Sequence, residues 1–232
     1  MRRVLGLIPA RGGSKGIPNK NMRLLGGIPL VGYAINAGKE SSLITDLVVS
    51  SDDENILDFA RKQGCISLKR SNENSDSVAT IDAVVTEVLK VMDKDYDYIL
   101  VLQPTAPLRT GIDVDKAIEM LENSRADSIV SVIRLDDIHP ARMYTKRSID
   151  NMLHSYIPEM ERSRRQDLPD TFLRNGCIYA VKTPAFLRNQ KLIQKDKIAY
   201  EMSEKYWLNI DSERDLIIAE SLILKWKKEI LK

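Results

Sequence analysis

Val4-Leu5-Gly6-Leu7-Ile8-Pro9-Ala10-Arg11-Gly12-Gly13-Ser14-Lys15-Gly16 is the stretch whose reading decides the fold. Val4 to Ile8 is a short apolar run, closed by Pro9 and followed at once by a glycine-rich cationic loop, the pattern of a buried first strand. Outward from it, Pro29 to Lys39 reads as a helix with Leu30, Ala34 and Ala37 on one face, and Asp46 to Ser51 as a second strand. Asp52 then opens a helix as its N-cap. Val78 to Met92 is an amphipathic helix, Tyr98 to Leu102 a third buried strand stopped by Gln103-Pro104, Gly111 to Asn123 a helix, and Ser128 to Ile133 a strand. Short apolar strands alternating with helices predict an α/β fold, a mainly parallel sheet with helices on both faces.

The alternation breaks between about Leu135 and Arg174, a polar stretch with Pro140, Pro158, Pro169 and the basic run Arg162, Arg164, Arg165. It is long for a plain connection and is expected to leave the main sheet as an excursion. The strand pattern resumes at Cys177 to Val181, and Trp207 to Ile210 is strand-like. A final helix starts at Ser212, with Asp215 as its capping-box partner and Ile218, Leu222, Trp226 and Ile230 on one face. Trp207 and Trp226 are assigned to the core.

Composition narrows the possibilities. A chain of 232 residues, 43% hydrophobic, suits one domain with a packed core. Lys plus Arg total 35 against 33 acidic residues, so no concentrated basic face speaks for nucleic acid or a membrane surface. Cys65 and Cys177, widely spaced, make neither a disulfide framework nor a zinc cluster, which fits a reducing compartment. The N-terminal apolar run is too short for a signal segment, and no stretch approaches the roughly 20 residues of a membrane span. The expectation is a soluble cytoplasmic protein.

A loop after the first strand lies at the carboxyl edge of an α/β sheet, where ligands bind. Ala10, Gly12 and Gly13 bring backbone N–H groups close to a ligand and suit phosphate oxygens. Arg11 can grip a phosphate with two parallel hydrogen bonds, and Lys15 and Lys20 act as point charges. The loop has neither the Walker A nor the G-x-G-x-x-G spacing. Three cations and two asparagines within residues 11–21 argue against an incidental solvated loop.

Ile8 through Asn21, IPARGGSKGIPNKN, resembles the N-terminal signature of the acylneuraminate cytidylyltransferases, the CMP–sialic acid synthetases. Three further segments agree in order: Gln103-Pro104-Thr105-Ala106-Pro107-Leu108-Arg109; Arg164-Arg165-Gln166-Asp167-Leu168-Pro169 leading to Asn175-Gly176; and Asn209-Ile210-Asp211 before Asp215-Leu216. The resemblance covers nearly the whole chain. It implies a nucleotide-binding domain over 1–232 whose excursion at about 135–174 serves dimerisation, and so a homodimer. It also implies transfer of CMP from CTP to an acidic nine-carbon sugar, with Arg11, Lys20 and Asn21 on the phosphates and nucleoside and Arg70 and Thr80 completing the nucleotide pocket. Gln103, Thr105 and Asn175 would serve the sugar, Arg164 and Arg165 its carboxylate or the phosphates, and Asp211 with Asn209 a divalent metal, Mg²⁺ or Mn²⁺.

Simpler readings stand beside these. Gln103-Pro104 can be a strand stop, although an amide offers donors and an acceptor to sugar hydroxyls. Arg70, Arg164 and Arg165 can be solvated charge, Thr80 a helix cap, and Asp215 a cap rather than a ligand. Asp211 can pair with Arg11 or Lys20 and only order the loop. His139 and His154 sit in no catalytic motif, so a metal- or carboxylate-assisted proton transfer is expected. The sequence departs from the family's usual pattern at Asn209, often Asp, at Ala106, often Ser, and at Val78, Ser in some relatives. Asn209 and Ala106 keep N,N′-diacetyllegionaminic and pseudaminic acids in view as substrates. A 3-deoxy-manno-octulosonate enzyme fits less well, and a non-catalytic nucleotide sensor is the alternative outside enzymes.

Overall fold

Strand β1 (Val4–Pro9) is apolar throughout because both of its faces are covered: Val4 and Ile8 enter one core, Leu5 and Leu7 the other. It pairs in parallel with β4 (Asp46–Ser51) on one side and β6 (Tyr98–Val101) on the other, and β5 (Ile66–Lys69) extends the sheet beyond β4, again in parallel. Beyond β6 lies β10 (Thr171–Lys182), antiparallel both to β6 and to β7 (Ser128–Leu135), while β11 (Lys197–Met202) closes that edge parallel to β7. The resulting order is β11-β7-β10-β6-β1-β4-β5, so the sheet is mainly parallel with one reversed strand inside it. This computed structural model describes residues 2–13, 16–71, 80–136 and 138–230. Lys15 and Val78, both singled out from the sequence, lie outside the described residues.

Helices α1 (Leu30–Glu40), α2 (Glu54–Lys62) and α4 (Gly111–Glu122) cover one face, packing Val31, Ile35, Ile56 and Ile118 against Val4, Ile8 and Leu100. Helices α3 (Ile81–Met92) and α5 (Thr183–Asn189) cover the other, with Val84, Val88 and Phe186 against Leu5, Leu7 and Val101. A third cluster lies under α6 (Glu213–Ile230), where Leu216, Ile223 and Trp226 bury Ile17, Leu25, Leu208 and Ile210. The small hairpin of β2 (Leu24–Leu25) and β3 (Ile28–Pro29) is tied to α6 by Lys227 Nζ donating to Gly26 O at 2.9 Å. No helix among the described residues is long and apolar enough to cross a membrane.

Several expectations are corrected. Asp53, not Asp52, caps α2, its carboxylate accepting from Asn55 N; Asp52 turns instead to the loop after β1. Among the described residues α3 begins at Ile81, capped by Thr80. Trp207 to Ile210 is no strand: it is an extended segment packed on the loop after β6, with Ile210 N donating to Thr105 O at 2.8 Å. Trp207 is 37% exposed and is not core. Ser212 and Asp215 form the expected reciprocal cap, but α6 buries Leu216, Ala219, Ile223 and Trp226, leaving Ile218 and Ile230 exposed, because the helix is seated on the third cluster rather than on the sheet.

The reversed strand is also longer than expected. β7 runs on to Leu135 and β10 begins at Thr171, so the two leave the sheet as a ribbon pairing Thr171 with Leu135 and Arg174 with Val132, with a register shift between Arg174 and Tyr179. Between the ribbon's ends lie the hairpin of β8 (Tyr144–Lys146) and β9 (Leu153–Ser155) and short 3₁₀ turns, including Arg165–Asp167.

Candidate active site

Four parallel strands, β5, β4, β1 and β6, point their carboxyl ends at one edge, and the loops leaving them carry most of the motif residues. Ala10 N donates to Ser50 O at 2.9 Å, which carries the β1–β4 ladder one step past Pro9. The loop then turns, with Gly12 N donating to Asp52 Oδ1 at 2.8 Å. A Cβ at Gly12 would stand 2.7 Å from Asp53 Cβ, so this approach requires glycine. Asn21, 5% exposed, donates its Nδ2 to Arg11 O at 2.8 Å, pinning the loop to the 3₁₀ turn Lys20–Met22.

Arg70 follows β5 and is only 8% exposed. Its Nη2 donates to Ser50 O at 2.9 Å, and its own N–H to Ser51 O at 2.8 Å. Burial pulls its pKa below the usual arginine range, Asp52 and Glu87 oppose that, and nearby Arg11 adds to the lowering. Arg11 is thus near enough to act on the Arg70 guanidinium, and two such cations on one edge favour an anion there.

The next loop leaves β6. Gly176, at φ 79°, sits in the β10 bulge directly under it. A Cβ at Gly176 would come to 3.1 Å from Gln103 Oε1, 3.7 Å from Ala106 Cβ and 3.9 Å from Asn209 Oδ1, which places these three groups over one spot. Leu208 and Ile210 are buried in the third cluster, and period-two alternation along an extended chain turns Asn209 and Asp211 the opposite way, where both are exposed. Asn209 Nδ2 donates to Asp211 Oδ2 at 2.6 Å. Lys20 Nζ donates to Asp211 Oδ1 at 2.8 Å and to Ile210 O at 2.9 Å, joining this segment to the first loop. Asp215 Oδ2 accepts from Asp211 N at 3.0 Å and from Ser212 N at 2.8 Å, which is the cap and not a ligand position.

The fold thus gathers Ala10, Arg11, Gly12, Gly13, Lys20, Asn21 and Arg70 with Gln103, Thr105, Asn209 and Asp211 along one edge. The remaining candidates differ. Thr80 Oγ1 accepts from Ala83 N at 3.2 Å as the α3 cap. Asn175 is buried, its Oδ1 accepting from Ser131 Oγ at 2.6 Å and from Cys177 N at 3.1 Å, so its amide braces the bulge. Arg164 pairs with Asp167 at 2.7 Å beyond the ribbon. Arg165 lines a cavity of about 420 Å³ there, with Arg134, His139 and Arg142. His139 Nδ1 accepts from Ala141 N at 3.0 Å, and His154 is exposed on β9.

Sequence reasoning missed a second feature. Gln103 also lines a cavity of about 300 Å³ with Asp82, Arg174, Tyr179, Leu192 and Ile193. Tyr179 was hidden inside a strand that reads simply as core, and Leu192-Ile193 lies in no motif. The 12-residue length of β10 and its reversal, which bring Arg174 and Tyr179 beside Gln103, have no local signature.

Comparison with known proteins bears on the family and the fold. The cytidylyltransferase family model matches residues 5–213. The chain is 30% identical over 213 residues to the N-acylneuraminate cytidylyltransferase of Streptococcus agalactiae serotype V, covering 91% of this chain and 51% of that protein. It therefore spans about half the length of the N-acylneuraminate cytidylyltransferases it matches. It is also 30% identical over 234 residues to post-translational flagellin modification protein B of Campylobacter coli, covering 96% of both. Among solved structures it resembles a CMP:2-keto-3-deoxy-manno-octonic acid synthetase complexed with CTP, with TM-score 0.73 at 16% identity over 97% of this chain and 99% of that one, a likeness of fold. A family match over nearly the whole chain, joined to the motif residues that the fold brings to one sheet edge, establishes that this chain belongs to the cytidylyltransferase family.

Proposed function

We propose that the protein transfers the CMP unit of CTP to the anomeric hydroxyl of an N-acylneuraminic acid or a close relative, releasing pyrophosphate. The observation that carries this reading is the single edge on which a cationic, glycine-rich loop and Arg70 stand beside the Gln103 cavity. The first suits a triphosphate and the second a polyhydroxylated acid. In this reading the C2 hydroxyl of the sugar attacks the α-phosphate and pyrophosphate leaves in line, a reaction that depends on positioning and on neutralising the phosphates. Arg11, the loop N–H groups and Lys20 hold the phosphates and stabilise the leaving group. Gln103 orients the sugar, and the Tyr179–Ile193 side of the cavity receives its acylamido group.

The residues present fit a Mg²⁺ ion. Such ions are commonly held by one or two carboxylates together with substrate phosphates. Asp211 offers a carboxylate whose side chain is 65% exposed, and Asn209, whose Nδ2 faces that carboxylate, would add its amide oxygen once the amide turns over. When bound, the metal would neutralise phosphate charge and polarise the α-phosphate. Without it, Lys20 balances Asp211.

Arg164 and Arg165 are assigned to the sugar carboxylate or the phosphates of a partner subunit's site. The exposed Ile149, Met152, Leu153, Tyr156 and Phe172 on and around the excursion support a homodimer formed through it. A second reading, the same reaction on N,N′-diacetyllegionaminic or pseudaminic acid, is favoured by Leu192 and Ile193, which give the Gln103 cavity an apolar side as well as its charged lining of Asp82, Arg174 and Lys191 and suit a second acylamido group. Pyrophosphate release from CTP, measured with neuraminic, legionaminic, pseudaminic and octulosonic acids in turn, tests both. Release with none of them, alongside measurable CTP binding, would leave a nucleotide sensor.

A further inference from the structure

Arg109 is 1% exposed and heads the fully buried side chains by volume. A guanidinium taken out of water is costly, and it is ordinarily matched to a carboxylate. This one is spent differently. Its Nη1 donates to two backbone carbonyls of the preceding turn, Gln103 O at 2.9 Å and Ala106 O. Nε and Nη2 meet no oxygen or nitrogen partner among the described residues, and the Cys177 thiol is the polar group beside the guanidinium. Burial pushes the Arg109 pKa down to about 10, with neighbouring Cys177 and Asp113 opposing that shift. Asp113 is itself committed, accepting from Thr110 N at 2.9 Å and from Tyr200 Oη at 2.8 Å.

The turn that Arg109 holds carries Gln103 and Thr105 on its upper side. Thr105 O accepts from Ile210 N at 2.8 Å, so the same turn sets the height of Asn209 and Asp211. Beneath it, Cys177 lies beside the guanidinium, and the adjoining Gly176 lies under Gln103 Oε1. One buried cation therefore touches the turn, the bulge and, through one hydrogen bond, the acidic segment. Arg109 touches none of the reacting groups.

We propose that Arg109 is a positioning residue: its guanidinium, bonded from below to the carbonyls of Gln103 and Ala106, sets the placement of the Gln103 amide and of the Asn209–Asp211 segment. The catalytic half of this inference rests on the reading of Gln103 as a sugar contact; the structural half does not. A residue that only filled the core would be replaceable by Met, since exchanging a buried charge for an apolar side chain of similar volume is often harmless. A positioning residue is not, because misplacing a contact by about 1 Å can cost about a hundredfold in rate.

Arg109→Lys, Arg109→Met and the remote core variant Leu121→Ala, which lies at the far end of α4, are compared with the parent protein. Thermal unfolding, steady-state kinetics in both substrates and backbone amide exchange are measured for each. At saturating Mg²⁺, Arg109→Met is expected to lose up to about a hundredfold in kcat/KM for the acidic sugar while KM for CTP stays within about twofold, with the shifted Asn209–Asp211 segment showing as a higher Mg²⁺ concentration for half-maximal rate; Arg109→Lys, which keeps a donor for the two carbonyls, is expected to recover part of the loss. Amide exchange should accelerate in residues 103–109 and 207–211 of both Arg109 variants but not in β1 or β4. Leu121→Ala should lower Tm without either change. Equal losses toward CTP and sugar, or Arg109→Met matching Leu121→Ala in kinetics and exchange, would overturn the proposal. If Arg109→Met does not fold, Arg109→Lys alone decides. If the parent protein turns over no acid in the panel, the substrate reading fails, and the exchange pattern still decides whether Arg109 sets the turn.

Discussion

Lys20 Nζ stands 2.8 Å from Asp211 Oδ1, and this pair links the chain after the β1 loop to the extended segment that buries Leu208 and Ile210 in the third core cluster. The two partners are unequal, with the lysine side chain 12% exposed and the aspartate 65%. An ion pair with one open partner contributes about 0–1 kcal/mol, too little to explain the placement of both groups as stabilisation alone. Without a metal the lysine orders Asp211. A metal held by Asp211 would take over this charge and leave the lysine to the phosphates that the proposed reaction requires. Asp211→Asn is expected to reduce activity heavily, with part of the loss returning at high Mg²⁺ or with Mn²⁺, because Asn keeps one oxygen ligand. A loss indifferent to metal and accompanied by a lower Tm would reduce Asp211 to loop ordering. Asn209→Asp should lower the metal concentration needed for half-maximal rate, and exhaustive EDTA treatment should abolish wild-type turnover.

Arg11 shares its edge with Arg70, and Asn21 fixes the Arg11 backbone carbonyl without engaging the guanidinium. Arg11→Ala is expected to cost about 2–4 kcal/mol of transition-state stabilisation, read as kcat/KM for CTP in a variant of unchanged Tm. A change within a factor of about two would remove Arg11 from the phosphate site.

Gly176 has φ 79° and lies under Gln103 Oε1, so a side chain there meets two obstacles at once. Gly176→Ala is expected to lose about 1–3 kcal/mol of stability from the backbone conformation and to raise KM for the sugar more than KM for CTP by displacing Gln103. Urea unfolding and two-substrate kinetics separate these effects. An unchanged sugar KM in the folded variant would show that Gln103 is not held by this contact.

Arg165→Lys keeps the charge and loses the planar fork that matches a carboxylate. If the excursion delivers Arg165 to a partner's sugar site, the variant raises KM for the acidic sugar more than for CTP, and light scattering shows a dimer. A fully active monomer would dismiss the shared site, and equal effects on both substrates would point to phosphate binding or folding.

Much of this protein is legible in local sequence, because the signals concerned are local. An apolar run buried on both faces, the glycines and cations after it, and the Ser212–Asp215 cap each act within a few residues, so β1, its loop and the start of α6 follow from chemistry in one short window. The alternation of Leu208 and Ile210 with Asn209 and Asp211 is likewise written in the chain, although it belongs to an extended segment and not to the strand expected there. What only the tertiary structure decided depends on partners distant in sequence. The reversal of β10 places Tyr179 and Arg174 beside Gln103 through pairings with β6 and β7 that no single segment encodes. The third cluster chooses which face of α6 is buried, and that cluster draws on residues from Ile17 to Trp226. Arg109, a cation that hydropathy assigns to the surface, is buried because two carbonyls of its own loop turn inward to meet it, and that inward turn exists only once the sheet beneath it has formed.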